Sequence, residues 1–415
     1  MPQNGDGVDT EISRRNVLRT AGVGLGGALA VGTATAEQPD RFIVGTSSLS
    51  AVRNARSRAA SVQRILDFGT IGQAVAGRFS SQARTALARR RDVRYVERDG
   101  TMQAIHHDPG HDGGPPGSGG GGDTSQTLPW GIDRVDAEVA HADGETGGDN
   151  TDGEGGTDIA IIDTGIDDDH PDLEANIGAG KAYVKCRGKN CNYPWSDDND
   201  HGTHCAGIAD ARDNTQGVVG VSTEATLHAV KVLDKQGSGS FSDVAAGIEY
   251  TADQGWDVGS LSLGASSGSQ TVKDACTYAN DKGVLLVAAA GNDGPCSDCV
   301  GFPAAYSEVI AVSSTTKEDT LSGFSSTGPE IELAAPGSDI YSSVIGGYDT
   351  FSGTSMACPH VSGAGGQLMD NGYTNGEART RLKDTAEDIG LSDSESGAGL
   401  LDVATALGLD SSNDL

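Results

Sequence analysis

DIAIID, Asp158–Asp163, is a short apolar run closed at each end by an aspartate. Four runs of the same kind follow: ATLHAVKVL (Ala225–Leu233), VGSLSLG (Val258–Gly264), GVLLVAAAGN (Gly283–Asn292) and EVIAVSS (Glu308–Ser314). Unbroken apolarity over so few residues is the pattern of strands covered on both faces. Helical stretches lie between or after them, at Ser240–Gln254, Gln270–Asp281 and Thr354–Asn371. Strands alternating with helices predict an α/β fold of three layers with a mostly parallel central sheet. In such sheets chemistry gathers at the carboxyl ends of the strands. Asp163, Gly264 and Asn292 each stand at such an end.

Ahead of this block the pattern differs. DRFIVGT (Asp40–Thr46) reads as a strand, about Leu49 to Leu66 and Ser81–Arg91 as helices, and VRYVERDG (Val93–Gly100) as another strand, which makes a small α+β unit. DPGHDGGPPGSGGGGD (Asp108–Asp123) has the composition of a linker. At the N-terminus SRRNVLR (Ser13–Arg19) precedes a glycine-rich apolar stretch ending Ala34-Thr35-Ala36. That arrangement resembles a Tat-type secretion signal, with valine where phenylalanine is usual. The expected divisions are a signal over 1–36, the small unit over 37–107, the linker over 108–123 and a catalytic domain over 124–415. GETGGDNTDGEGGTD (Gly144–Asp158) reads as a solvated acidic loop.

The 415 residues carry 29 Lys and Arg against 59 Asp and Glu, a net charge of −30. Such a surface repels nucleic acid and anionic membranes, so neither is an expected partner. Between Glu37 and Asp123 there are 12 basic and 9 acidic residues, a net +3; from Thr124 onward there are 14 and 47, a net −33. So much self-repulsion suits concentrated salt, where the Debye length falls to a few ångströms, and points to a halophile. Seven cysteines are present. Cys186 with Cys191, and Cys296 with Cys299, read as local disulfides; Cys205, Cys276 and Cys358, among small apolar residues, read as buried thiols.

FSGTSMACPHVSG (Phe351–Gly363) places a hydroxyl, Ser355, where a helix begins. A nucleophilic serine needs a base. The Ser-Asp-His order of α/β-hydrolases fails, because only His360 follows Ser355 and no aspartate lies between. The nucleophile elbow fails too, with Ala357 at its last glycine position. The order Asp-His-Ser remains open, with Asp163 followed by DNDHGTHCAGI (Asp198–Ile208). There the residues alone do not choose between His201 and His204.

IAIIDTGIDDDHPDL, HGTHCAGI, VAAAGNDG and FSGTSMACPHVSG, in this order and spacing, resemble the subtilisin family of serine proteases over nearly all of Ser125–Leu407. The acidic composition and cysteine pairs are most similar to the halolysin-type enzymes of haloarchaea. The resemblance implies a secreted, halophilic endopeptidase of broad specificity that works through an acyl-enzyme. A catalytically idle binding protein and an esterase sharing the same residues are its rivals. It implies Asp163 as orienting carboxylate, His201 as general base, Ser355 as nucleophile and Asn292 as oxyanion donor. It places substrate between Gly237-Ser238-Gly239 and Ser262-Leu263-Gly264 as an added strand. Ala289, Ala290 and Gly291 would form a roomy apolar first pocket, and Phe241 would border another. The resemblance also implies calcium, held by the side chains of Gln126, Asp172 and Asn214 and the carbonyls of Arg212, Gln216 and Val218. SDDND (Ser196–Asp200) is a weaker candidate for a second ion. No organic cofactor is expected. Residues 37–107 would be an inhibitory propeptide, removed by cleavage within Gly119–Ser125, and the enzyme a monomer. Pro359 is expected in the first helical turn, with His170, His228 and His360 structural.

Overall fold

The computed structural model describes residues 40–105, 126–148 and 156–411. The expected signal, the linker with its maturation stretch, and the middle of the acidic loop, 149–155, lie outside these.

The N-terminal unit is a four-stranded antiparallel sheet. Its strands are β1 (Asp40–Thr46), β2 (Ser61–Asp67), β3 (Gln73–Phe79) and β4 (Val93–Arg98), in the order β2-β3-β1-β4. Helices α1 (Leu49–Arg58) and α2 (Ser81–Ala88) cross one face, started by Ser48 and Ser80, which accept from the N–H of Ala51 and Ala83. The helix expected to reach Leu66 stops at Arg58, where Ala59 turns extended. Ser61–Asp67 is instead an exposed edge strand with only Leu66 buried, so it lacks the apolar alternation that marks a half-buried strand. Phe42, Val44, Val75 and Phe79 pack under the helices. From the opposite face Ile43, Ala74 and Ala76, with Leu66 and Phe68, share a cluster with the C-terminal block.

That block has a seven-stranded parallel sheet. Its strands are β6 (Asp158–Asp163), β7 (Lys181–Ala182), β8 (Thr226–Lys231), β10 (Val258–Leu261), β12 (Leu285–Ala289), β13 (Val309–Thr315) and β14 (Ile331–Pro336). They lie in the order β14-β13-β12-β10-β6-β8-β7. Two short helices, α3 (Trp130–Arg134) and α4 (Ala137–Asp143), precede it. One face carries α6 (Phe241–Gln254) and α7 (Gln270–Asp281), the other α5 (His201–Asp210) and α8 (Thr354–Asp370). A Ser240–Asp243 capping box opens α6 and Gly255, at φ 74°, closes it. The expected strand Val258–Gly264 divides: after β10, residues Leu263–Gly264 leave the sheet as β11. β11 and β9 (Ser238–Ser240) flank β5 (Thr101–Ala104) of the N-terminal unit in a three-stranded antiparallel sheet. A hairpin, β15 (Ile340–Val344) with β16 (Gly347–Phe351), leads into α8. Both cysteine pairs are disulfide-bonded, and the other three cysteines are buried thiols.

Candidate active site

Asp163 ends β6 on the sheet axis, fully buried. His201 is the first residue of α5. The two meet because the loop after β6 turns through Gly165, at φ 113°, and α5 lies directly against it. A Cβ on Gly202 would sit 2.2 Å from the Gly165 carbonyl, so only glycine lets the helix that close. Asp200, just ahead of His201, has φ 87°, a strained conformation for a residue with a side chain. Its carboxylate accepts from the N–H of Ile345 in the hairpin.

The Nδ1 of His201 lies 2.8 Å from Asp163 Oδ1. With a carboxylate as partner Nδ1 must carry the hydrogen, which makes Nε2 the basic nitrogen. Burial pushes the imidazole pKa down, but the charge of Asp163 and the bond to it prevail, and His201 titrates well above the usual histidine range. His204 is different in kind. Its Nε2 faces the carbonyls of Ile340 and Asp349, its ring stacks on Phe351, and burial with the nearby His201 pushes its pKa down to about 3. Of the two, only His201 holds a carboxylate. His360 bonds the Met356 carbonyl, His170 that of Gly347, and His228 bonds Asp158 while stacking on Trp256.

Ser355 is the second residue of α8. Its hydroxyl donates to the carbonyl of Ser262 at 3.0 Å. Pro359 proves to be the sixth helical residue rather than a first-turn one. Its missing N–H is the one that would bond the Ser355 carbonyl. That carbonyl instead accepts from Ser262 Oγ at 2.8 Å and Cys205 Sγ at 3.5 Å. Cys205 also lies 4.0 Å from His201 Nδ1, so one thiol ties the histidine helix to the serine helix. Asn292 stands three residues beyond β12, and its Oδ1 accepts from the N–H and the hydroxyl of Thr354. Its Nδ2 is buried with no hydrogen-bond partner, an oriented donor awaiting an acceptor. Thr354 was not singled out from sequence, and Cys205, read there as a buried thiol, and Pro359, read there as a first-turn residue, were given no part in the site. The proline inside a helix was the one available signal.

The remaining candidates flank β5. Ser238 and Gly239 pair with Gln103 and Met102, and Leu263 and Gly264 with Ala104 and Gln103. The N–H of Ala104 donates to Gly237 O and that of Ile105 to Ser262 O. A Cβ on Gly264 would come 2.7 Å from Ile105 Cδ1, so glycine leaves room for that side chain. Ile105 packs against the core that contains Ala289. Gly291, at φ 121°, anchors its N–H on Thr354 Oγ1. Met102 is fully buried in the same cluster as Phe241, beside which Gly100 passes.

Of the expected calcium ligands, Gln126, Asp172, Asn214 and the carbonyls of Arg212 and Val218 come together, with Gln216 joined through its N–H. Gln126 Nε2 donates to the carbonyls of Arg212 and Val218, and Oε1 accepts from Asn214 N–H. Asp172 accepts from Val218 N–H and Asn214 Nδ2, while Asn214 Oδ1 accepts from Gln216 N–H. Two carbonyls thus aim at one point now held by an amide nitrogen, beside a buried carboxylate. That set of oxygens fits a hard cation. In SDDND, by contrast, Asp197 holds Thr203 and Asn199, and Asp198 pairs with buried Lys231.

The family model described as "Subtilase family" matches residues 154–400. Subtilisin amylosacchariticus of Bacillus subtilis subsp. amylosacchariticus is 40% identical over 287 residues, 68% of this chain and 72% of that protein. A thermostable alkaline protease of Halalkalibacterium halodurans is 41% identical over 285 residues, 68% and 74% of the two chains. Subtilisin Savinase of Lederbergia lenta is 40% identical over 285 residues, 68% and 99%. The chain belongs to the subtilase family. It is a subtilisin-like serine endopeptidase, whose substrates are polypeptides.

Proposed function

We propose a secreted, salt-adapted endopeptidase of broad specificity in which Ser355 is the nucleophile, His201 the general base, Asp163 its orienting partner and Asn292 an oxyanion donor. The observation that carries this is His201, held on a buried carboxylate at 2.8 Å by a helix that Cys205 ties to Ser355. Ser355 Oγ attacks a peptide carbonyl while His201 Nε2 takes its proton and then delivers it to the leaving amine. Asp163 keeps the tautomer and stabilises the imidazolium. The free Nδ2 of Asn292 meets the oxygen as it becomes negative. Water then releases the acyl group by the same proton route. Main-chain pairing to β9 and β11 supplies binding that ignores sequence.

Residues 37–107 act as inhibitory propeptide. Several contacts support this. β5 lies between the two substrate strands. Glu97 and Asp99 bond the first N–H groups of α7 and α6. Arg94 and Arg64 pair with Asp274 and Asp243. Salt that weakens these pairs would loosen inhibition. Calcium, held by Gln126, Asp172, Asn214 and the carbonyls of Arg212, Gln216 and Val218, would neutralise Asp172 and fix the mature N-terminus. Tat export, life outside the cell in concentrated salt, and halolysin kinship rest on the twin arginine and the acidic composition. No described helix is long and apolar enough to cross a membrane. Casein hydrolysis across a salt series tests the whole: activity should rise with salt, vanish with a serine-directed acylating inhibitor, and be missing in Ser355→Ala. Persistence in that variant would overturn it.

A further inference from the structure

We infer that Arg187, Lys189 and Lys235 give this protease a preference for an acidic side chain at one substrate position, the one that Ala104 holds in the structure. The inference deepens the protease reading and rests on it. From Thr124 onward only 14 Lys and Arg stand against 47 Asp and Glu. Yet three of the 14 surround a single cavity of about 240 Å³, between the Cys186–Cys191 disulfide loop, Lys235 ahead of β9 and Ile345 in the hairpin turn. All three are exposed, and none makes an ion pair among the described residues. Four carboxylates lie in the same neighbourhood, and each is turned onto the protein's own donors. Asp197 accepts from the N–H of Asn199 and from Thr203. Asp198 pairs with buried Lys231 and accepts from the N–H of Arg187. Asp200 accepts from Ile345 N–H, and Asp234 from the N–H groups of Gln236 and Ser238. What the cavity presents outward is therefore positive charge.

The register of β5 says which residue of a bound strand meets it. Ile105 N–H and the Ser355 hydroxyl bond the same carbonyl, Ser262 O, at 3.1 and 3.0 Å, so Ile105 is the residue beside the nucleophile. The residue before it, Ala104, is clamped by its N–H to Gly237 O at 2.8 Å. Gly237 has no side chain to fill the space here: a Cβ would sit 3.2 Å from Ala104 Cβ and 4.0 Å from Asn199 Nδ2. Asn199 follows Asp198 of the cavity wall, and its Nδ2 donates to the carbonyl of Lys235 at 2.9 Å. Ala104 is half-buried at this corner. A glutamate in its place would carry a carboxylate about 3.5 Å beyond Cβ, toward cations on flexible stems that can close on it. A lysine there would meet like charge, with every nearby carboxylate already engaged.

Chromogenic peptides of the form Met-Gln-X-Leu, patterned on Met102–Ile105, test this with X as Gln, Glu or Lys. The mature enzyme is assayed at the lowest salt that sustains activity, where screening is least. Glu and Gln have the same shape, so the ratio of their kcat/KM values reads charge alone, and a ratio taken within one preparation cancels any loss of folded enzyme. Wild type should favour Glu over Gln by at least about threefold, the effect of one to three exposed ion pairs, with Lys below Gln. The ratio should fall to about one in Arg187→Gln/Lys189→Gln/Lys235→Gln. A wild-type ratio of one or less overturns this inference and leaves the protease reading intact, as does a preference for Glu that survives undiminished in the triple variant. A preparation that cleaves neither these peptides nor casein overturns both.

Discussion

Asn292→Asp isolates one hydrogen of the site. The wild-type Oδ1 accepts from Thr354 N–H at 2.9 Å and from its hydroxyl at 3.0 Å, and an aspartate keeps both contacts. What it lacks is the Nδ2 donor, the atom left buried without a partner. Removing one oxyanion donor lowers kcat by roughly 10²–10³, about 2.7–4 kcal/mol of transition-state stabilisation. That magnitude is the one known for subtilisin's own oxyanion asparagine, so it is carried over within the family. The added negative charge faces the developing oxyanion, which puts the expectation at the upper end. KM should hardly move, because the contact forms only in the transition state. Asn292→Ala also removes the acceptor for Thr354 and should lose about 1–3 kcal/mol of stability besides, which Asn292→Asp should not. The assay is kcat and KM on a chromogenic peptide, with active sites titrated and each variant matured in trans by tagged wild-type enzyme that is then removed. A kcat for Asn292→Asp within about threefold of wild type would refute the oxyanion role and the geometry behind it.

Catalysis needs neutral His201, whose pKa Asp163 holds above the ordinary 6.5. Activity should therefore fall as pH drops through a value above 6.5, and Asp163→Asn should move this limb downward while costing about 10⁴ in kcat; an unmoved limb in a pH–rate profile would contradict that origin. Chelating calcium, or making Asp172→Asn, should lower the melting temperature of inactive Ser355→Ala protein, by an amount equivalent to about 2.7 kcal/mol when calcium stands at a hundred times its Kd; calorimetry with no calcium-dependent shift would remove the ion. Asp274→Asn strips Arg94 and Tyr95 of their shared acceptor. Hydrogen bonds to charged groups contribute about 1.5–3 kcal/mol, so inhibition by added propeptide should weaken roughly tenfold or more, and an unchanged inhibition constant would show that this contact contributes nothing.

The central sheet could be read from the chain because its strands are buried on both faces, and burial of that kind writes an unbroken apolar run: Asp158–Asp163 is bounded as expected. Ser61–Asp67 and Gln73–Phe79 could not be read so. The first is an exposed edge, and the second, QAVAGRF, contains residues too small to announce a period. Ile331–Pro336 likewise hides in a stretch that ends in alanines and a proline. The resemblance carried by four motifs in order implied the roles of Asp163, His201, Ser355 and Asn292. Order alone left His204 as good as His201, and only the folded chain gives one of them a carboxylate and the other two carbonyls. The role of Pro359 belongs to the tertiary structure for the same reason: the carbonyl it frees matters through Ser262 and Cys205, residues remote in the chain. So does the place of Ile105. A linear sequence records which groups are present and how a segment prefers to fold, whereas the residue brought beside a nucleophile is fixed by strand register, which depends on contacts between segments far apart.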